Sequence, residues 1–124
     1  MSAKAIVLFA HGARDPRWAA PFEAIAARVQ VAVPARVVRL AFLELMAPSL
    51  SEAVAGLVGE GVHDVDVIPL FLGTGGHLRQ DLPRQAEAAR AAHPGLRLRV
   101  HAPIGEDAAV MEAIARAAIR LSGE

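Results

Sequence analysis

The sequence contains no cysteine. Disulfides, thiolate metal sites and cysteine nucleophiles are therefore excluded together, and any transition metal must be met by imidazole and carboxylate. Net charge is absent as well: 13 Lys and Arg balance 13 Asp and Glu. A chain without a basic field lacks the general attraction to nucleic acid, although single arginines can still line the pocket of an acidic ligand. There is no long hydrophobic run. The apolar opening AIVLFA, residues 5–10, is too short for a membrane span or a typical signal peptide, and Asp15 soon follows. The expectation is a cytoplasmic protein with neither membrane nor nucleic-acid partners. The phosphate-binding fingerprints G-x-G-x-x-G and G-K-[ST] are missing, as is a serine in a G-x-S-x-G elbow. No internal repeat or linker divides the chain.

What is present suits one globular domain, residues 1–124, with one core: 54% of residues are hydrophobic and 21% charged. KAIVLFA, 4–10, reads as a strand buried on both faces that ends at His11-Gly12. Asp15-Pro16 signals a helix start and WAAPFEAIAARVQ is helical in composition. Pro21 predicts either a distorted first turn or a regular helix beginning there. RVVRLAFLE, 36–44, is a second strand, placed outward by its arginines. Pro48 opens a helix closed by Gly61. DVDVIPLFL, 64–72, is a third strand in which Pro69 marks a bulge. After the GTGGH loop a helix is predicted from Pro83 to Ala92, stopped by Pro94-Gly95. LRLRVHA, 96–102, alternates like an edge strand, and 106–121 forms a closing amphipathic helix.

This β-α alternation, with right-handed crossovers, predicts a three-layer, flavodoxin-like α/β fold: a four-stranded parallel sheet, order 2-1-3-4, with helices on both faces. The sheet is small, and one edge or face is expected to be covered by a second copy. Ligands of such sheets bind beyond the carboxyl ends of the strands, at the switch between strands 1 and 3. His11 follows strand 1, Glu44 ends strand 2 and His77 follows strand 3. Adjacent strands lie about 4.8 Å apart, so the three can converge on one small object. Two imidazoles and a carboxylate suit a borderline divalent ion such as cobalt, iron, nickel or zinc. Taken singly, each residue also reads as a turn or solvated strand end, and GTGG as a phosphate cradle. His63 and His93 read as surface residues, and His101 as bordering the cleft from its outer edge. Asp81 either orients His77 or caps a helix starting near Pro83.

Three segments carry a resemblance. HGARDPR at 11–17, FLELMAPSL at 42–50 and PLFLGTGGHLRQDLP at 69–83 resemble the sirohydrochlorin chelatases of the CbiX/SirB type, in order and across nearly the whole chain. The resemblance implies a class II chelatase fold, with this chain a single half-domain. It also implies insertion of a divalent metal, cobalt first and iron or nickel otherwise, into sirohydrochlorin for cobalamin or sirohaem biosynthesis. By that match His11 and His77 are the metal-binding histidines and Glu44 the acidic residue sharing their site, all three catalytic. Arg14 and Arg79, flanked by Arg17 and Arg84, would pair with the polycarboxylate substrate. Gly75 and Gly76 would let the loop pass close to a flat macrocycle. A homodimer is implied, with no permanently bound cofactor, the divalent metal being a substrate. The alternative is a non-enzymatic metal-binding or delivery protein using the same histidines.

Overall fold

The computed structural model describes residues 3–73 and 75–123, and of His77 the backbone alone. The elements are β1 (Lys4–Ala10), a 3-10 turn (Pro16–Ala19), α1 (Ala20–Ala32), β2 (Val37–Phe42), α2 (Leu50–Gly59), β3 (Asp64–Pro69), α3 (Gly76–Ala92), β4 (Arg97–Val100), a second 3-10 turn (Ile104–Glu106) and α4 (Ala108–Leu121). All strand pairs are parallel and the order is β2-β1-β3-β4, as the apolarity of the first and third strands predicts. Among the described residues no helix is long and apolar enough to cross a membrane.

The structure lies between the two predictions for Pro21. Pro16 opens a 3-10 turn capped by Asp15, and α1 then starts at Ala20 with Pro21 in its first turn. A proline costs little there, because that N–H has no intrahelical partner. At α2 the Ser49 side chain accepts from the Glu52 N–H while Glu52 accepts from the Ser49 N–H, a complete capping box. The predicted start of the third helix is wrong. α3 begins at Gly76 and carries Pro83 inside it. The burial stripe explains this: Leu78, Leu82, Ala86 and Ala89 pack on the core at helical spacing on both sides of the proline. That burial outweighs the single backbone hydrogen bond Pro83 forfeits. Asp81 therefore lies within the helix and does not cap it; Gly75 holds the cap position without a side-chain bond.

Pro69 ends β3 rather than bulging it. The next residue, Leu70, donates its N–H to Phe9 on the β1 side. Successive N–H groups alternate along a strand, so the missing donor of Pro69 faces β4, whose pairing has already stopped at Val100. No ladder bond is lost.

The two faces of the sheet are unequal. On one, Ala5, Val7, Phe9, Ala41, Val65, Val67 and Leu98 are sealed under α2 and α3. Phe9 and Phe71 meet edge-on there at 6.1 Å, and each fully buried leucine contributes about 1.5–3 kcal/mol. On the other, α1 and α4 contain no buried residue. A small cluster of Ala10, Ala19 and Phe42, flanked by Trp18 and Phe22, closes only the β2 side.

On this second face Arg99 of β4 bonds both Asp64 and Asp66 of β3, and His101 Nε2 lies 2.8 Å from Asp66. The Arg99 guanidinium, against opposing burial and with help from His101, holds the Asp66 carboxyl down to about 2. An unfolded aspartate titrates near 3.9. The stabilisation is therefore present above about pH 4 and lost as pH falls towards 2. Arg99 is 40% exposed, so screening reduces the effect to about 1 kcal/mol. Urea denaturation of wild type and Asp66→Asn should differ by about that amount at neutral pH, with the gap closing towards pH 2; a gap independent of pH would contradict this account.

Candidate functional site

The β1–β2 ladder runs on past both strands. Leu43 N–H donates to the Ala10 carbonyl at 2.9 Å and Glu44 N–H to that of His11 at 3.1 Å. Beyond the sheet's carboxyl end this brings His11 Nε2 to 3.3 Å from Glu44 Oε1, with the two side chains 50% and 43% exposed. Glu44 sits in the connection after β2, two residues beyond the strand end, not on the strand as predicted. Its backbone is gripped from two sides. Gly12 has φ +97°, and a Cβ there would stand 1.8 Å from the Glu44 carbonyl oxygen. Leu45 has φ 67°, uncommon for a residue with a side chain, and Met46 N–H donates to the same carbonyl.

The third wall is the connection from β3 into α3. Gln85 of α3 donates from Nε2 to the Leu43 carbonyl at 3.3 Å, tying this helix to the Glu44 connection. Gly105 donates to the Phe71 carbonyl and packs so tightly that a Cβ would lie 2.1 Å from the Leu72 carbonyl oxygen. Gly73, Gly75 and Gly76 differ: a Cβ at any of them meets nothing within 4 Å, and none has a left-handed φ. The fold itself does not require glycine at those three positions. His77 lies in the first turn of α3; its side chain, like Thr74, is outside the described residues.

Among the described residues no group of three metal-ligating side chains forms; the structure brings together the pair His11 and Glu44. Arg17 is committed to Asp15 at 2.8 Å, which lowers the Asp15 carboxyl below its usual range, and Arg84 leans on Asp81. Arg14 and Arg79 are exposed and have no carboxylate partner among the described residues. His101 is engaged with Asp66 and His63 is exposed at the far end of the sheet; His93, expected at the surface, is half-buried after α3. Sequence reasoning missed Gly12, Leu45, Gln85 and Gly105 as supports of the site. Only Gly12, directly after a strand-ending histidine, left a local signal.

An exposed imidazole–carboxylate pair at the open end of a sheet can hold a divalent ion with positions to spare and can accept protons. A family model described as CbiX matches residues 5–121. The chain is 30% identical over 115 residues to the sirohydrochlorin ferrochelatase of Bacillus subtilis (strain 168), a match covering 90% of this chain and 42% of that one. It is 33% identical over 75 residues to the sirohydrochlorin cobaltochelatase of Sulfurisphaera tokodaii, covering 60% and 59%. A crystal structure of a CbiX protein from Marinobacter aquaeolei VT8 superposes with a TM-score of 0.84 at 36% identity, covering 94% of this chain and 95% of that one. The chain covers less than two thirds of the length of both curated relatives.

The glycines sort into two classes that thermal unfolding separates. Gly12→Ala and Gly105→Ala, each forcing a Cβ into a carbonyl, should cost at least about 2 kcal/mol. Gly76→Ala should leave stability within about 1 kcal/mol of wild type. Equal melting temperatures for all three variants would contradict the assignment.

Proposed function

Since the chain belongs to the CbiX family, we propose that it inserts a divalent metal ion into sirohydrochlorin, cobalt being the physiological metal and iron or nickel the alternatives. The observation that carries this reading is the exposed His11–Glu44 pair at the carboxyl end of the parallel sheet. The names of the two curated relatives support it: both specify sirohydrochlorin, one with iron and the other with cobalt.

Insertion exchanges two pyrrole N–H protons for one M²⁺, so the site has to deliver a metal and remove protons. His11, Glu44 and His77 are the proposed metal-holding and catalytic residues. Imidazole ionises near neutral pH, so a histidine can ligate in its neutral form or take up a pyrrole proton. Glu44 offsets metal charge and accepts the second proton. Three protein ligands leave positions open for the macrocycle nitrogens, which a closed four-ligand site would block. Arg14 and Arg79, lacking carboxylate partners within the described chain, would pair with substrate carboxylates. Gly75 and Gly76 keep the α3 entry low beneath a flat ligand. The protein acts as a cytoplasmic homodimer of single half-domains without a permanently bound cofactor.

An anaerobic absorbance assay of insertion with cobalt, iron and nickel tests this. His11→Ala and His77→Ala should each lower kcat/KM by about 10² or more, and Glu44→Gln by about 10- to 100-fold. Arg14→Ala or Arg79→Ala should chiefly raise KM. No acceleration over spontaneous insertion with any of the three metals overturns the proposal, and metal binding without macrocycle binding would identify a delivery protein instead.

A further inference from the structure

Among the described residues, large apolar side chains stand exposed on α1 and α4 and at two other positions, Leu45 and Leu72. Both lie in connections at the carboxyl end of the sheet. Leu45 comes directly after Glu44 in the connection from β2, and Leu72 lies between β3 and α3. They are 59% and 71% exposed. Neither backbone is loose. Leu45 sits at φ 67°, between Glu44 and the Met46 N–H that donates back to the Glu44 carbonyl. Gly105 packs so closely on Leu72 that a Cβ there would stand 2.4 Å from the Leu72 Cα. The fold gains little from either side chain, and at Leu45 it loses. A left-handed backbone is cheapest for glycine or asparagine, and a leucine left mostly in water offsets little of that strain by burial. Strain held in place by its surroundings clusters at ligand sites.

We infer that Leu45 and Leu72 are substrate-contacting residues, packing on the apolar ring of the macrocycle and setting it over the His11–Glu44 pair. The inference rests on the chelatase reading above and supplies the apolar half of its substrate recognition. Three observations select this occupant. First, the strand order β2-β1-β3 places the connection of His11 between the other two. Leu45 and Leu72 thus follow strands two spacings apart, roughly 10 Å, a span comparable with the width of a tetrapyrrole ring. Second, the ligand is amphipathic, an apolar conjugated ring with carboxylates on its rim. Arg14 and Arg79 at the same mouth suit the rim but offer nothing to the ring, and the two leucines complement it. A bare metal ion would give them no use. Third, there is room. A Cβ at Gly73, Gly75 or Gly76 would meet nothing within 4 Å, so the connection that carries Leu72 opens onto free space.

Metal-free sirohydrochlorin, titrated anaerobically and followed by its fluorescence anisotropy, tests this without any insertion step. Leu45→Asn and Leu72→Gln should each raise its Kd about tenfold or more, and Leu72→Met should bind as wild type does. The loss should persist at about 1 M salt, because apolar contact is not screened, whereas the loss in Arg79→Ala should shrink there. Leu45→Asn should also raise the melting temperature by about 2 °C or more. Stability and affinity then move in opposite directions, which a leucine serving only the fold would not produce. Wild-type affinity in both Leu45→Asn and Leu72→Gln overturns the inference and leaves the proposed reaction standing. Macrocycle binding that depends on both leucines, without insertion of any metal, supports the inference and rejects the reaction. A wild-type chain that does not bind the macrocycle overturns both. A changed sedimentation mass in Leu72→Gln, with macrocycle affinity intact, would assign Leu72 to a contact between copies and reject the inference.

Discussion

The approach of the Gly12 backbone to the Glu44 carbonyl sets the geometry of the sheet's open end. Register places Ala10 opposite Phe42, so continued extended chain would put His11 opposite Leu43. Side chains alternate along paired strands, and His11 and Glu44, one step out of phase, would point to opposite faces. They meet at 3.3 Å because the regular ladder is abandoned after Phe42, the successive N–H groups of Leu43 and Glu44 both bonding the β1 side, and the left-handed residues Gly12 and Leu45 then turn the chain away directly after the pair. Only glycine tolerates the first of these at this distance from a carbonyl. Leu45 is held in its uncommon conformation by its surroundings, at a cost on the order of 1–3 kcal/mol. Conformational energy is thus concentrated beside the pair proposed to handle metal, where exact placement matters most.

The fold was legible because it depends on signals that are local and redundant. The apolar runs at 4–10 and 64–72 identify the central strands, and the arginines at 36, 39, 97 and 99 mark the outer ones. Chirality and short connections leave one sensible order. The rule about strand ends placed His11 and Glu44 at one end of the sheet, but not their mutual geometry. Nothing local announces that Glu44 lies past its strand, that Gln85 reaches Leu43, or that Gly105 rests on Leu72; the last two join residues 42 and 33 positions apart. The start of α3 was misplaced for a related reason. Gly-Gly and Pro83 are strong local punctuation, whereas the Leu78–Leu82–Ala86–Ala89 stripe counts only once the core it faces is known.

The sheet's two faces have different roles. Under α2 and α3 the core is closed, and no buried side-chain nitrogen or oxygen among the described residues lacks a hydrogen-bond partner. That layer packs beneath β1, β2 and β3, whose carboxyl ends lead into the connections of the proposed site. The opposite face buries Leu8, Ala10 and Phe42 but leaves Ile6, Leu40, Ile68 and Leu70 partly exposed, and its charged side chains lie on β3 and β4, where Asp64, Asp66, Arg99 and His101 pair among themselves.

Charge completes the division. With 13 cationic and 13 anionic side chains, the chain has no overall field to draw in an anion, so recognition has to be local. Arg14 and Arg79, without carboxylate partners among the described residues, follow β1 and open α3, at the mouth that holds His11 and Glu44. A groove of about 490 Å³ on the opposite face, lined by Leu8, Phe22, Ile25 and Leu70 among others, has no charged lining. An anionic ligand would therefore be directed to the carboxyl end of the sheet and away from its apolar face.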